Sequence, residues 1–553
     1  MMTRGNEFSP KTRDENIERL EREEFDILVI GGGITGAGIA RDAAMRGFKV
    51  ALVEKGDFAS GTSSKSSRLI HGGIRYLENL ELGLVFQACT ERRRLRRMAP
   101  HLVRPLPFLF TIYRSGRLSP RKISLVLWLY DALSLFRNVQ RHRMLAPERA
   151  LEMEPMLRKE GLLAAGRYYD CSADDARLTL LTILSAHRYG AVAINHASVM
   201  GLLKAKGRVC GAQVHDHIAD REFEARAHVV VNATGPWVDE IRHLDNPQAA
   251  PRLRPTKGIH IIVPRERLLT KEAIALTSPR DGRLMFVIPW GRFSIVGTTD
   301  TDYNGDPDQA CALKGDVAYV LEALDAVFPA AQIAEGDIIS TFAGVRPLVR
   351  EEGVAAFKVS RRHQIMVSPS GLISIAGGKL TTYRAMAEEL VDEVTGLLAR
   401  ECGTCPRRDC VTDKVPLLEG DMGAALAELK LAEGEGLVDE ETMAHLARAY
   451  GPDCPRLLEL IRQDRSWGGR IAEGLPYIKA EIPYAVRCEM ALTLCDFMVR
   501  RTRLIYEEAN QGLNQAKEVA GIMASYLGWG PEEIERQLAL YRKEVALTRT
   551  YRQ

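Results

Sequence analysis

At 553 residues the chain is too long for one ordinary hydrophobic core, so two or three domains are expected. Hydrophobic residues at 46%, charged residues at 27% and a formal net charge of +3 exclude a disordered or fibrous chain and give no case for nucleic acid as a partner. Ten cysteines, diluted and unevenly spaced, fit a reducing cytoplasm better than a disulfide-built secreted fold.

Residues 1–24 are polar and crowded with both Glu and Arg, which is neither a signal peptide nor a membrane anchor, and are expected to form a flexible arm. Residues 25–54, FDILVIGGGITGAGIARDAAMRGFKVALVE, have the pattern of a βαβ unit that grips a dinucleotide. Gly31 permits the tight turn, Gly33 leaves room for a pyrophosphate, and Gly36 lets the helix lie close to the sheet. The helix N-terminus supplies free N–H groups and positive dipole. Glu54 ends the second strand, where its carboxylate can accept from ribose hydroxyls and would repel a 2′-phosphate. This motif alone does not separate FAD from NAD.

The loop that follows, GDFASGTSSKSSRLIHGGIRYLENLELG, is rich in Gly and Ser. Small residues and hydroxyls, among them Thr62, Ser63 and Ser64, suit a backbone lying against a ligand, and His71, Arg75 and Tyr76 bring titratable or donor groups there. A polar surface loop is the competing reading. Residues 80–98 have a helical pattern, with Arg92, Arg93, Arg94, Arg96 and Arg97 spread over more than one face, as solvated arginines or as an anion-facing surface. Between Tyr113 and Met144 an apolar centre with Trp128 and Tyr130 lies between Arg114, Arg117, Arg121 and Lys122 on one side and Arg137, Arg141 and Arg143 on the other. Such a segment buries its apolar side in protein, meets a partner, or sits in a membrane interface. Its longest apolar stretch, 123–136, contains Asp131 and is too short to span a bilayer.

Strands are expected at 192–199, 209–214 and in AHVVVNATGPW, which breaks at Gly235-Pro236 as a nucleotide-sheet strand does on reaching a cofactor. Residues 251–340 alternate HIIV, MFVIPW and FSIVGTT with turns, one of them at Pro255-Thr256-Lys257-Gly258, in a mostly antiparallel sheet. At 372–398 a strand runs into Gly377-Gly378 and then a helix beginning near Thr381, preceded by Lys379 and Leu380. Beyond residue 400 only amphipathic helices are expected, as a separate domain.

Chemistry is expected at the second glycine turn. A reduced flavin carries negative charge that a helix N-terminus and Lys379 would stabilise, whereas a nicotinamide cation would be opposed, so FAD is favoured. Arg75, Arg346 and Lys379 each sit beside a glycine turn or strand end, and together they would suit a phosphate dianion. A histidine near neutrality suits removal of a hydroxyl proton, with His71 and His260 as candidates and a hydrogen-bonded core histidine as the alternative for each. Cys402, Cys405 and Cys410 form CGTCPRRDC, which matches no zinc or iron–sulfur spacing, so no metal is expected.

The segments GGGITGAGIARDAAMRG, TSSKSSRLIHGGIRYLE, VNATGPWV, KGIHIIVP, VIPWGRFSIVGTTD, GVRPL and GGKLTTYR, in this order, resemble the FAD-dependent glycerol-3-phosphate dehydrogenases of the aerobic, quinone-reducing kind. The resemblance implies an α/β fold with a glutathione-reductase-like FAD-binding domain interleaved with a sheet-containing substrate domain, plus an all-helical C-terminal domain. The division expected is an arm at 1–24, FAD-binding parts at 25–90, 171–250 and 341–400, an insertion at 91–170, a substrate domain at 251–340 and helices at 401–553. The implied activity is oxidation of sn-glycerol 3-phosphate to dihydroxyacetone phosphate, with electrons passed to membrane quinone by a cytoplasmic protein held peripherally on anionic membrane. A homo-oligomer is left open. Arg75, Tyr76, Arg346 and Lys379 are implied at the substrate phosphate, and His71 and His260 beside flavin and substrate. The alternatives are an oxygen-using glycerophosphate oxidase, an amino-acid oxidase of the same fold, and a non-catalytic membrane- or partner-binding scaffold.

Overall fold

The computed structural model of the chain describes residues 7–77, 80–114, 119–350 and 362–553. The strand Glu24–Ile30 is buried along nearly its whole length, as an apolar run must be when a parallel sheet is covered on both faces. It lies between Val50–Val53 and Arg221–Asn232, parallel to both. The sheet runs in the order Gln364–Val367, Ile373–Ala376, Arg221–Asn232, Glu24–Ile30, Val50–Val53, Val192–Ile194. The antiparallel strands Ala197–Ala205 and Arg208–Asp216 extend it from the first half of Arg221–Asn232. The run expected at 192–199 is split, because Asn195 and His196 turn the chain and His196 adopts a φ of +53°.

Helix Ile34–Arg46 packs against Asp175–Arg188 and Tyr383–Cys402. It is ended by Gly47, whose φ of +93° is the left-handed cap that glycine adopts freely. A side chain at Gly36 would strike the Gly31 carbonyl, so the close approach of helix to strand depends on its absence.

The second sheet runs Thr301–Asp302, Leu253–Pro264, Phe293–Gly297, Leu284–Trp290, Ala273–Thr277, Arg104–Tyr113, Leu162–Ser172, Leu69–Ile70. Ser340–Val349 pairs with Leu253–Pro264, and Arg143–Leu145 with Leu162–Ser172. This corrects the expected division twice. Residues 91–170 are no insertion apart from the substrate sheet, since they supply two of its long strands, and Ser340–Val349 belongs to that sheet and not to the nucleotide domain. The turn expected at 255–258 is also absent. Thr256 and Lys257 stand opposite Arg346 and Val345 in an unbroken ladder, and Pro255 faces Pro347, so the two missing N–H donors fall at one position.

The expectation of a flexible arm at 1–24 is overturned for the described part. Ser9 caps helix Pro10–Arg22 by accepting from the Thr12 N–H. Phe8, Ile17 and Leu20 are buried, and Arg13 bonds Asp216 at 2.5 Å and the Asn195 carbonyl at 2.9 Å. Arg13 is buried only because those acceptors, nearly two hundred residues away, fold against it.

After residue 400 helices follow, among them Met422–Gly434, Glu440–Tyr450, Cys454–Gln463, Glu481–Cys488, Ala516–Leu527 and Pro531–Arg549. Glu481–Cys488, Ala516–Leu527 and Pro531–Arg549 share one apolar core with the second sheet, in which Phe497, Val519 and Tyr541 join Phe108, Ile262 and Phe342, whereas Met422–Gly434, Glu440–Tyr450 and Cys454–Gln463 pack around a core of their own with Leu429, Leu446 and Leu458. Charge ties them to the nucleotide body. Asp57, wholly buried, accepts from Arg500 at 2.5 Å and from Arg501 at 2.5 and 2.9 Å. Arg503 donates to Asp174 at 2.6 Å and to Asp175 at 2.9 Å. Burial alone would raise the Asp174 carboxyl, but Arg503 outweighs it and holds the group below the usual carboxylate range.

Replacing Asp57 by Ala would leave Arg500 and Arg501 buried without their shared acceptor. The expected cost is about 3–5 kcal/mol, measured as a lowered urea midpoint. An unchanged midpoint would show that the network does not hold the helices in place.

Candidate active site

Between the two sheets lies a cavity of about 560 Å³ that runs from the glycine turn to the middle of the second sheet. At one end Gly31 has a φ of +112°, and a Cβ there would meet the Ala233 carbonyl at 2.7 Å, so this position requires glycine. Gly33 opens helix Ile34–Arg46, and a Cβ on it would come within 3.2 Å of Ser63 Oγ. Ser63 Oγ accepts from the Ile34 N–H at 2.9 Å, and Thr62 Oγ1 donates to the Val345 carbonyl at 2.6 Å, tying this loop to both bodies. Glu54 ends its strand with a carboxylate that accepts from the Gly32 N–H at 2.6 Å and the Gly56 N–H at 2.9 Å. Burial pushes its pKa up while those two donors pull it down.

At the other end, two neighbouring strands set the chemistry. In the ladder of Leu253–Pro264 with Ser340–Val349, His260 stands opposite Phe342, Gly258 opposite Gly344 and Thr256 opposite Arg346. These residues alternate by two and so share one face. The two glycines leave a gap on that face. The Arg346 guanidinium folds over Gly258, while a Cβ at Gly344 would meet the Lys65 carbonyl at 2.5 Å. Arg346 is held by Thr298 Oγ1 at 3.0 Å, the Thr299 carbonyl at 3.2 Å and Asp300 Oδ1 at 3.2 Å. His260 is buried, stacks on Phe342 at 4.7 Å between ring centroids, and bonds Ser67 Oγ through Nε2 at 2.8 Å. Its pKa is lowered to about 3, first by burial and then by Arg346 and Arg68.

The third wall is the loop of His71 to Tyr76. The His71 N–H donates to Thr381 Oγ1 at 3.1 Å, which joins this loop to the second glycine turn. Burial lowers the His71 pKa to about 4 against the pull of Asp170, with Lys379, Arg92 and Arg75 adding to the decrease. Both histidines are therefore neutral imidazoles well below the near-neutral value expected for a base. Lys379 Nζ lies 3.4 Å from the Tyr76 ring centroid, a cation–π contact. Gly377 and Gly378 have φ values of +77° and +89°. The helix expected near Thr381 begins instead at Tyr383, after a 3-10 turn at Leu380–Thr382.

The cavity thus brings together Gly31, Gly33, Glu54, Thr62, Ser63, Gly235, Gly378, Leu380 and Thr381, and with them His71, Arg75, Tyr76, His260, Arg346 and Lys379. Gly36 lies behind its wall as a packing residue, and Ser64 is buried away from the lining. Ser67, Asp170 and Asp300 also line it and were not singled out from the sequence. Ser67 and Asp300 lie in runs that resemble the family, but a serine and an aspartate reveal their roles only once His260 and Arg346 are seen to bond them. The cysteines of CGTCPRRDC do not gather. Cys402 and Cys405 are exposed, and Cys410 Sγ lies 3.1 Å from Thr412 Oγ1. Among the described residues the one cluster with metal-like spacing is Asp57, His196 and Asp496, whose acids are engaged by Arg500 and Arg501.

A profile described as FAD dependent oxidoreductase matches residues 26–392, and one described as the C-terminal domain of alpha-glycerophosphate oxidase matches residues 410–534. The glycerol-3-phosphate dehydrogenase of Mycobacterium leprae is 41% identical over 541 residues, 97% of this chain and 91% of that protein. The chain belongs to the FAD-dependent glycerol-3-phosphate dehydrogenase family. The aerobic glycerol-3-phosphate dehydrogenase of Staphylococcus saprophyticus is 38% identical over 548 residues, 98% of this chain and 97% of that protein. The glycerol-3-phosphate dehydrogenase of Bacillus halodurans, solved with FAD, superposes with a TM-score of 0.80 at 32% identity, over 98% of each chain. A backbone with no Cβ at Gly31 or Gly33 leaves room of the kind a pyrophosphate needs to approach it.

The lowered His260 pKa has a consequence for stability. Between the ordinary value of 6.5 and about 3 the unfolded chain binds a proton that the native state does not. The stability is complete above pH about 6.5 and is lost as pH falls through that window, by about 2 kcal/mol between pH 7 and 5 for this one group. H260Q should lose correspondingly less than the parent over that range in urea titrations. Equal losses in the two proteins would mean that His260 is not held neutral.

Proposed function

We propose that this chain oxidises sn-glycerol 3-phosphate to dihydroxyacetone phosphate in this cavity and delivers the electrons to membrane quinone. The observation that carries the reading is the shared face of the second sheet, where His260 and Arg346 flank a glycine gap that opens opposite Arg75 and Lys379. FAD supplies the hydride acceptor when bound. The parallel strand order around Glu24–Ile30 supports a glutathione-reductase-like nucleotide domain, with Gly31, Gly33, Glu54, Ser63 and the 377–381 turn as its cofactor contacts.

Arg346 binds the substrate phosphate, prealigned by Thr298, Thr299 and Asp300, with Arg75 and Lys379 sharing its charge. The neutral His260 takes the hydroxyl proton through its Ser67 hydrogen bond. The phosphate dianion favours the imidazolium that results, and the surrounding cations favour the alkoxide formed in the same transfer. A carboxylate substrate, as in an amino-acid oxidase, would bring one charge to a site built with three cations.

Helix Pro120–Leu133 supports the membrane and quinone part of the reading. Its inner face, with Ile123, Leu127 and Tyr130, is buried on the second sheet, so the segment is both a core helix and a surface. Outward it exposes Leu125 at 68% and Trp128 at 56%, followed by Leu135 and Phe136, with Leu80, Leu82 and Phe86 also exposed on the loop and helix packed beside it. Arg141 lies over Phe136. Apolar groups rimmed by arginine fit the interface of an anionic bilayer. No described helix is long and apolar enough to cross one. Arg117 lies outside the described residues.

R346Q is expected to lower kcat/KM for glycerol 3-phosphate by about 30- to 1000-fold, equivalent to about 2–4 kcal/mol, while glycerol remains a very poor substrate for parent and variant alike. Comparable values for the two substrates in the parent would remove the phosphate assignment. Replacing Trp128 and Leu125 by Ser should weaken association with anionic liposomes and slow reduction of a quinone analogue, leaving flavin reduction by glycerol 3-phosphate in solution unchanged. If oxygen reoxidises the flavin faster than the quinone analogue in stopped flow, the protein is an oxidase.

A further inference from the structure

Behind the catalytic cavity lies a second, small recess that neither the cofactor nor the substrate uses. It is formed where helix Leu82–Met98 meets the end of helix Pro120–Leu133, and Asp170 belongs to the walls of both spaces. Its volume, about 20 Å³, accepts one oxygen-sized group at its base. Arg92, Arg93, Arg96 and Arg137 line it.

The charges there do not cancel. Asp170 is committed to Arg92 and to the Tyr130 hydroxyl, and Asp131 to His142 and Asn138. The carbonyls that end helix Pro120–Leu133 are taken by the N–H groups of Ser134, Leu135 and Phe136. Among the described residues, Arg93, Arg96 and Arg137 meet no acid and no hydrogen-bond acceptor through their side chains, and Arg93 Nε is enclosed without a partner. Burial and the nearby charges of Arg137, Arg97 and Arg94 lower the Arg93 pKa, which is the mark of cations crowded without a counter-charge. Elsewhere in this chain crowded arginines are matched by acids, as Arg500 and Arg501 are by Asp57. An anion of outside origin completes such a site, and the exposed side chains of Leu135 and Phe136 beside it point to an anion that carries an apolar body.

We propose that this recess binds the phosphate of an anionic lipid headgroup, one unesterified oxygen entering at its base while Arg93, Arg96 and Arg137 surround the charge. The inference rests on the membrane-facing reading of helix Pro120–Leu133 and adds to it a defined seat: with one oxygen at the base of the recess, a tetrahedral phosphate has further oxygens to meet the remaining arginines from different sides, whereas a planar carboxylate has one.

The flavin-loaded protein is mixed with phosphatidylcholine vesicles made equally negative with either phosphatidic acid or a fatty-acid carboxylate, and binding is read by co-sedimentation. The parent should bind the phosphatidic acid vesicles about tenfold more tightly. R93Q/R96Q should bind both kinds alike while keeping its flavin and salt-sensitive association. A rim variant, R141Q/R143Q, should weaken binding to both and keep the preference. Equal binding by the parent overturns the recess and leaves the membrane reading standing, whereas no binding to either vesicle overturns both. If millimolar inorganic phosphate erases the preference where chloride of equal ionic strength does not, the seat takes free phosphate and the lipid assignment falls.

Discussion

A buried arginine is stable only when its charge is met inside the protein, and the attachment of the C-terminal helices depends on several arginines that satisfy this together. Arg500 and Arg501 meet Asp57, three residues beyond Glu54, and Arg503 meets Asp174 and Asp175. Asp175 also accepts from the Ser66 N–H and hydroxyl, at 2.9 and 2.7 Å, and the next residue, Ser67, bonds His260. The helices therefore grip from behind the loop that lines the cavity beside the glycine turn and steadies His260 at its other end. One set of ion pairs fixes both the assembly of the fold and the position of the groups expected to react.

The same logic explains why the cavity can be so cationic. Arg346 and Arg283 share Asp300, and Arg92 is neutralised by Asp170, so part of the charge is balanced within the walls. Burial, reinforced by neighbouring cations, lowers the pKa of both His71 and His260 in this setting.

The parts legible in the sequence are those whose physics is local. The glycine turn, its helix stop at Gly47 and the acid at Glu54 follow from neighbours within thirty residues, and the structure has them as expected. Arg75, Arg346 and Lys379 were recognisable because each adjoins a glycine turn or strand end, although their meeting was not. The misreadings share a cause in distant partners. Pro10–Arg22 looked like a frayed arm because its buried face carries Arg13 and Asn16, polar residues whose acceptors lie near residues 193–216. Pro255 to Gly258 looked like a turn because Ser340–Val349, which makes it a strand, lies more than eighty residues away. Residues 91–170 looked like an insertion because Arg104–Tyr113 pairs with Ala273–Thr277, a parallel neighbour no local pattern announces.

The His260 ring does not face only the cavity. It stacks on Phe342, which in turn packs at 5.3 Å against Tyr506 from the C-terminal helices, and the Tyr506 carbonyl accepts from Ser340 at the head of the same strand. The helical segment thus backs the strand that carries Phe342, one layer behind the lining of the cavity. Without these helices Phe342 and Ser340 would lose their cover, and the back of the second sheet would open to water.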